Sequence, residues 1–216
     1  MRNISVENNS GSALAEALAG RMYRLSGTYE VEREKVREFA RAIQLTHPAH
    51  YRESAAAELG HSGLVAPFTF TAVLGARAQR RMLETIIDDA RSGQMLHTEQ
   101  RILAHRPVRV GDRLSCLIGL ESYRSSHGQD RLIFASVIVD RTNTPVQTGW
   151  TTAVTSSDAS RIDIIGPAAE AIMARGGEYP SADNELLPAE GALSDYRAAV
   201  PNEYIPRSTR SFDSVA

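Results

Sequence analysis

The chain has 216 residues, with 24 basic against 26 acidic side chains and a formal net charge of -2. That length builds one domain with a full core plus appendages rather than two large domains, and the balanced charge makes nucleic acid and anionic membrane poor default partners. The single cysteine, Cys116, excludes an intramolecular disulfide and sits in the alternating run LSCLIGLESY as a buried reduced thiol. No apolar stretch approaches the roughly 20 residues of a membrane span. The start MRNISVENNSGS lacks the apolar core of a secretory signal, so a cytoplasmic location is the expectation.

Residues 1–12 are polar and read as a mobile extension. A short amphipathic helix is predicted over 13–25, with Leu14, Leu18 and Met22 on one face, ended by Gly27 and Thr28. Residues 29–31 read as extended. The next helix, over 32–44, carries the stripe Val36, Phe39, Ala40 and Ile43 and stops at His47-Pro48. A second short helix over 51–59 is closed by Gly60, and 63–67 is apolar and extended. From 68 to 90 the apolar residues Phe70, Val73, Leu74, Ala78, Met82, Leu83 and Ile86 recur at threes and fours, which predicts a long helix buried on a broad face.

After Ser92-Gly93 the pattern changes to alternation. Strands are predicted over 95–104, 113–123, 131–140 and 146–155, with turns at Gly111-Asp112, Ser126-His127-Gly128 and 142–145. One long apolar helix followed by a strand meander implies an α+β unit in which an antiparallel sheet wraps the helix. The division is an extension over 1–25, a domain over 26–158 and a second extension over 159–216. In the latter, Pro167 to Arg175 reads as a short helix after the apolar 162–165. Beyond Gly176, Pro180, Pro188, Pro201 and Pro206 mark a disordered tail or an arm docked through Tyr179, Tyr196, Tyr204 and Phe212. Its few apolar residues are expected to add only local contacts to a core that the helix and four strands complete by themselves.

Chemistry concentrates in LTHPAHYRESAAAELGHSGLVAPFTF, residues 45–70. This segment resembles the MaoC-like hot-dog family, whose signature runs Asp-x-Asn-Pro-apolar-His, then a small-residue helix, then an apolar segment ending in Ala-Pro. Pro48 and His50 match. Leu45 stands at the Asp position, His47 at the Asn position and Phe68 at the usual glycine. The runs TYEVEREKVREFARAIQ, RPVRVGDRL and TGWTTAV extend the resemblance over about 29–155, toward the small, non-catalytic type of subunit of the mycobacterial (R)-hydroxyacyl-ACP dehydratases.

The resemblance implies a hot-dog fold acting on acyl-ACP or acyl-CoA thioesters in fatty-acid or polyketide-type assembly, with no diffusible cofactor and no metal. Dehydrating a 3-hydroxyacyl thioester takes a base, an acid and donors for the enolate oxygen. An aliphatic Leu45 transfers no proton. The implied role is therefore the acyl-binding half of a heterodimer, the catalytic Asp and His coming from a hot-dog partner, with Phe68, Phe70, Val73 and Leu74 lining an acyl tunnel and the Phe68 amide left as a donor. His50 is the catalytic candidate of a rival reading, a self-sufficient homodimeric hydratase; a non-catalytic acyl-binding module is another. Thioesterase chemistry is disfavoured, because Glu84, Asp88 and Asp89 fall late in the helix.

Each residue also has a plainer role. His50 reads more readily as a partly buried, hydrogen-bonded structural histidine, His47 as a loop-orienting group, and Glu53 and Glu58 as solvated charges, although Glu53 lies three residues after His50. Pro107 and Gly111-Asp112 make an ordinary turn as well as a tunnel-side one. His61, His97 and His105 have no metal-ligand spacing, and phosphate loops and a Gly-x-Ser-x-Gly elbow are absent.

Overall fold

The computed structural model describes residues 15, 17–86, 95–126, 129–156 and 185–197. Ala15, Ala17 and Leu18 are helical, but Gly20 takes a φ of 79° and Arg21–Leu25 form strand β1. The single helix predicted over 13–25 thus breaks at Gly20. The spacing of Leu18 and Met22 suits a helix, yet Met22 and Leu25 are buried on opposite faces of a sheet. Strand β1 lies so close to its neighbour that a Cβ at Gly119 would stand 2.6 Å from the Arg21 carbonyl oxygen.

Tyr29–Glu30 (β2) and Arg33–Ala42 (α1) follow, with Val36 and Ala40 of α1 buried and Ile43 exposed beyond its end. Gln44, at φ 57°, turns the chain toward a 3-10 turn at Pro48–His50 and the short helix α2, Glu53–Glu58. The long helix α3 spans Ala72–Ile86 and buries Leu74, Ala78, Met82 and Leu83. It starts four residues later than predicted for a specific reason. In a helix beginning at Phe68, the Phe68 carbonyl would accept the Ala72 N–H, but here it accepts Gln147 Nε2 at 3.1 Å, while Ala72 N–H turns to Thr69.

Strands β3 (Met95–Ala104), β4 (Arg113–Ser126), β5 (Gln129–Val139) and β6 (Pro145–Ser156) appear where alternation placed them. The named strands all pair antiparallel, in the order β3-β6-β5-β4-β1-β7, with β2 beside the start of β4. Strand β7 is Leu186–Ala192, followed by the one-turn helix α4, Leu193–Arg197. This strand escapes a period-two reading because Pro188 and Gly191 interrupt it; both are tolerated on an edge strand that pairs on one side. Residues 1–14, His127-Gly128 and 157–184 lie outside the described residues. So do the helix predicted at 167–175 and the aromatic residues Tyr179, Tyr204 and Phe212.

Both faces of the sheet are apolar. On the inner face Leu114, Cys116, Ile118 and Leu120 of β4 join Leu132, Phe134 and Ile138 of β5 against α3. On the outer face Leu117, Val137, Val139 and Trp150 form a second cluster with Met22 and with Leu193 of α4, packed by Ala189 and Tyr196. The expectation that the tail adds only local contacts is therefore corrected. The segment 186–197 contributes a strand and a buried leucine to a second core, because the outer face is too apolar to be left to water.

Two outcomes follow from this packing. Leu193→Ala is expected to cost about 2–3 kcal/mol of stability, read as a lower denaturant midpoint at unchanged slope; an unshifted midpoint would mean that the outer face is covered without it. Burial pushes the Cys116 thiol up to about 12, against a smaller opposing pull from Arg24. An unfolded thiol ionises near its ordinary 9.0 while the folded one keeps its proton, so stability should fall as pH rises between those values. Thiol labelling at neutral pH should accordingly be slow in the native protein and complete once guanidinium unfolds it.

Candidate active site

The turn that carries His50 is built by its own neighbours. Pro48 presets the first position, and His47, in extended geometry, accepts the Ala49 N–H on Nδ1 at 3.2 Å. His47 is thus the cap of the 3-10 turn, the orienting role read from its place in the motif. His50 ends the turn with its Nδ1 2.6 Å from the Val65 carbonyl oxygen. A carbonyl only accepts, so Nδ1 carries the hydrogen in this contact, and Nε2 is engaged by no described residue. The Val65 N–H returns to the Ala49 carbonyl at 3.1 Å, which fixes the segment against the turn from both sides.

The motif RPVRVGDRL braces that segment. Ala66 N–H donates to the Val108 carbonyl, Val110 N–H donates to Leu64, and Val65 bridges Arg109. Asp112 holds the turn shut, accepting Arg106 at 2.8 Å and the Arg109 N–H at 2.9 Å, and Arg106 reaches on to Asp140 at 3.4 Å. The turn therefore positions the carbonyl that positions His50.

At the acid position Leu45 is 38% exposed, its N–H spent on Ala40 and its carbonyl on the Tyr51 hydroxyl. Glu53, three residues after His50, is paired with Arg33. Among the described residues no carboxylate is hydrogen-bonded to His50, and no three His, Cys, Asp or Glu side chains gather as metal ligands would. Glu84 is held by Arg80 and Arg81, each at 2.8 Å.

The four tunnel candidates separate. Phe68 is 57% exposed, and its N–H bonds to no described residue. Phe70 is 3% exposed and packs edge-on against Phe39 and Tyr29, with centroids 5.3 and 6.0 Å away. Leu74 belongs to the same core, while Val73 is half-buried.

The residue signal missed in the sequence is polar. Thr71 Oγ1 donates to Gln147, and further along the helix Gln79 Nε2 donates to Thr151, whose hydroxyl donates to Gln100 at 2.8 Å. Thr71, Gly75 and Gln79 recur every four residues beside the apolar stripe, a pattern visible in the sequence once the helix is known. Next to Gln79 a cavity of about 140 Å³ opens between α3 and the sheet. A larger polar cleft, about 410 Å³, lies among Arg24, Glu30, Arg113, Asp140 and Arg141.

A sheet wrapped on one helix, with a ring-locked histidine just ahead of that helix, defines a hot-dog protein of the dehydratase type. The family model for the FAS1-like dehydratase domain region matches residues 17–148, and the chain belongs to this family of MaoC-like hot dogs. It is 37% identical over 139 residues to a UPF0336 protein of Mycolicibacterium paratuberculosis, covering 64% of this chain and 87% of that protein. Among solved structures it is similar to the C-terminally truncated HadBC (3R-hydroxyacyl-ACP dehydratase) complex of Mycobacterium tuberculosis, with 31% identity and a TM-score of 0.57 over 63% of this chain and 96% of that one. It is also similar to a MaoC-like dehydratase, at 35% identity and a TM-score of 0.65, over 82% of this chain and 53% of that longer one. No helix among the described residues is long and apolar enough to cross a membrane.

The bracing turn is testable through Asp140. Its carboxyl is held down at about 2, first by the Thr142 hydroxyl, then by the N–H groups of Thr142 and Thr144 and by Arg106, against the opposing effect of burial. A depressed carboxyl contributes stability that is present above its ordinary 3.8 and lost as pH falls toward about 2. Asp140→Asn is expected to lower the urea midpoint at neutral pH and flatten its dependence across that acid interval; an unchanged acid limb would show that Asp140 does not set it.

Proposed function

We propose that this chain is the acyl-binding subunit of an (R)-3-hydroxyacyl-thioester dehydratase, paired with a second hot-dog subunit that supplies the catalytic Asp and His. The thioester is carried by an acyl carrier protein or CoA, in fatty-acid or polyketide-type assembly within the cytoplasm. The observation that carries this reading is the half-built proton relay. His50 is oriented through Nδ1 and offers an Nε2 that no described residue engages, but Leu45 stands where the acid belongs and Glu53 is committed to Arg33. Removing the proton beside the carbonyl without an acid for the leaving hydroxyl leaves the reaction stalled.

Support also comes from the HadBC complex, a dehydratase named for two subunits, and from the MaoC-like dehydratase of which this chain spans about half. The acyl chain enters beside the free Phe68 N–H, a donor for the enolate oxygen, and runs along α3 past Val73 and Leu74, with Phe70 closing the wall behind them. The hot-dog unit is residues 26–158, with β1 and then β7 extending its sheet beyond β4. Strand β3, at the end of the strand order, is the edge onto which the partner sheet joins.

The purified chain alone is expected to hydrate a medium-chain enoyl thioester at a negligible rate. Robust turnover abolished by His50→Ala would instead establish the self-sufficient homodimeric hydratase. Leu45→Asp should by itself fall far short of an efficient enzyme, since a displacement of about an ångström in a relay costs roughly a hundredfold in rate and Phe68 also departs from the family pattern. Turnover comparable with a natural hydratase in that variant would mean that the missing acid is the only defect.

A further inference from the structure

Gln79 sits roughly 10 Å along the axis of α3 from Ala72, on the side where the cavity of about 140 Å³ opens. Three walls of that cavity are apolar and themselves buried: Leu83, Phe134 and Ala153. The other three residues are Gln79, Thr151 and His97, the last on the exposed strand β3. An apolar cavity of about 150 Å³ stays dry and takes a benzene-sized group. Here one side of a similar volume offers hydrogen bonds.

The orientation of those hydrogen bonds is set by a relay. Thr151 gives its hydroxyl hydrogen to Gln100 Oε1, so it meets Gln79 as an acceptor and takes the Gln79 amide nitrogen. The Gln79 carbonyl oxygen is left with no donor from any described residue. Because Gln79 lines the cavity, that oxygen is available to a donor brought there by a ligand.

We propose that this cavity is the distal end of the acyl site, and that Gln79 selects a chain whose far end bears a hydroxyl or another hydrogen-bond donor over one ending in plain hydrocarbon. The inference rests on the acyl-binding reading above and adds a substrate class to it. The chain's methylenes pack against Leu83, Phe134 and Ala153, its terminal donor satisfies Gln79, and His97 lies at the mouth beside β3.

The test is calorimetric titration of the full-length chain with hexanoyl, octanoyl, decanoyl and dodecanoyl thioesters of N-acetylcysteamine, each against its ω-hydroxy counterpart. At the length that reaches Gln79 the hydroxylated ligand is expected to bind about tenfold more tightly, the worth of one buried hydrogen bond. Gln79→Leu should abolish or reverse that preference. Ala153→Phe should remove binding of the longer chains and spare the shorter; Ala153→Val, a milder filling, gives the same trend if the larger variant fails to fold. Binding without any preference at every length, or an unchanged length profile in the filled variants, overturns this inference and leaves the acyl-binding reading standing. Failure of every thioester to bind overturns both.

Discussion

An antiparallel sheet that is apolar on both faces has to be covered twice, and the architecture of this chain follows from that constraint. The strands β4 and β5 are buried along almost their whole middle length, so neither face is available to water. Helix α3 covers one side. The other side is met in part by Leu193, Ala189 and Tyr196 of the late segment, which reaches the outer face because β7 pairs with β1 and carries α4 over it. A hot dog with a single covered face would end near β6. This one draws on sequence thirty residues further on for its second cover.

The same interface decides how the helix begins. Gln147 takes the Phe68 carbonyl and the Thr71 hydroxyl, so the backbone from Pro67 to Thr71 stays in short-range turns and the Phe68 amide is left outside the helical hydrogen-bond ladder. A strand residue thereby sets the geometry of the loop that leads into α3. The histidine is governed from further away still: Val65 holds its ring, the 105–112 turn holds Val65, and Asp112 holds the turn through Arg106. Three layers of support stand behind the orientation of His50.

Much of this was legible in the residues, for reasons that differ by element. The strands β3 to β6 are long, alternating and bounded by turn residues, so period two identifies them without tertiary help. The His50 turn is legible because Pro48 and the neighbouring small helix have local causes. What escaped has non-local causes. Nothing within 13–25 says that Met22 will find Gly119 as a neighbour, and it is pairing with β4 and β7 that makes β1 a strand. Strand β7 is invisible alone, since Pro188 and Gly191 make sense only on one side of β1. The partnership of Gln79 with Thr151 joins positions 72 residues apart, which no periodicity reveals.

The two edges of the sheet are unlike. Strand β3 presents ten residues beyond its pairing with β6, with one register shift between His97 and Glu99, whereas β7 is seven residues long, shifts register against β1, and lacks one amide hydrogen at Pro188. Growth by adding strand to strand has a good template on one side and a poor one on the other. Two such subunits meeting edge to edge through β3 would consume both good templates at once and leave only the poor ones outward. The late segment thereby ends the sheet on a strand whose missing amide hydrogen at Pro188 works against the addition of another, the blunt margin that keeps an open sheet from growing.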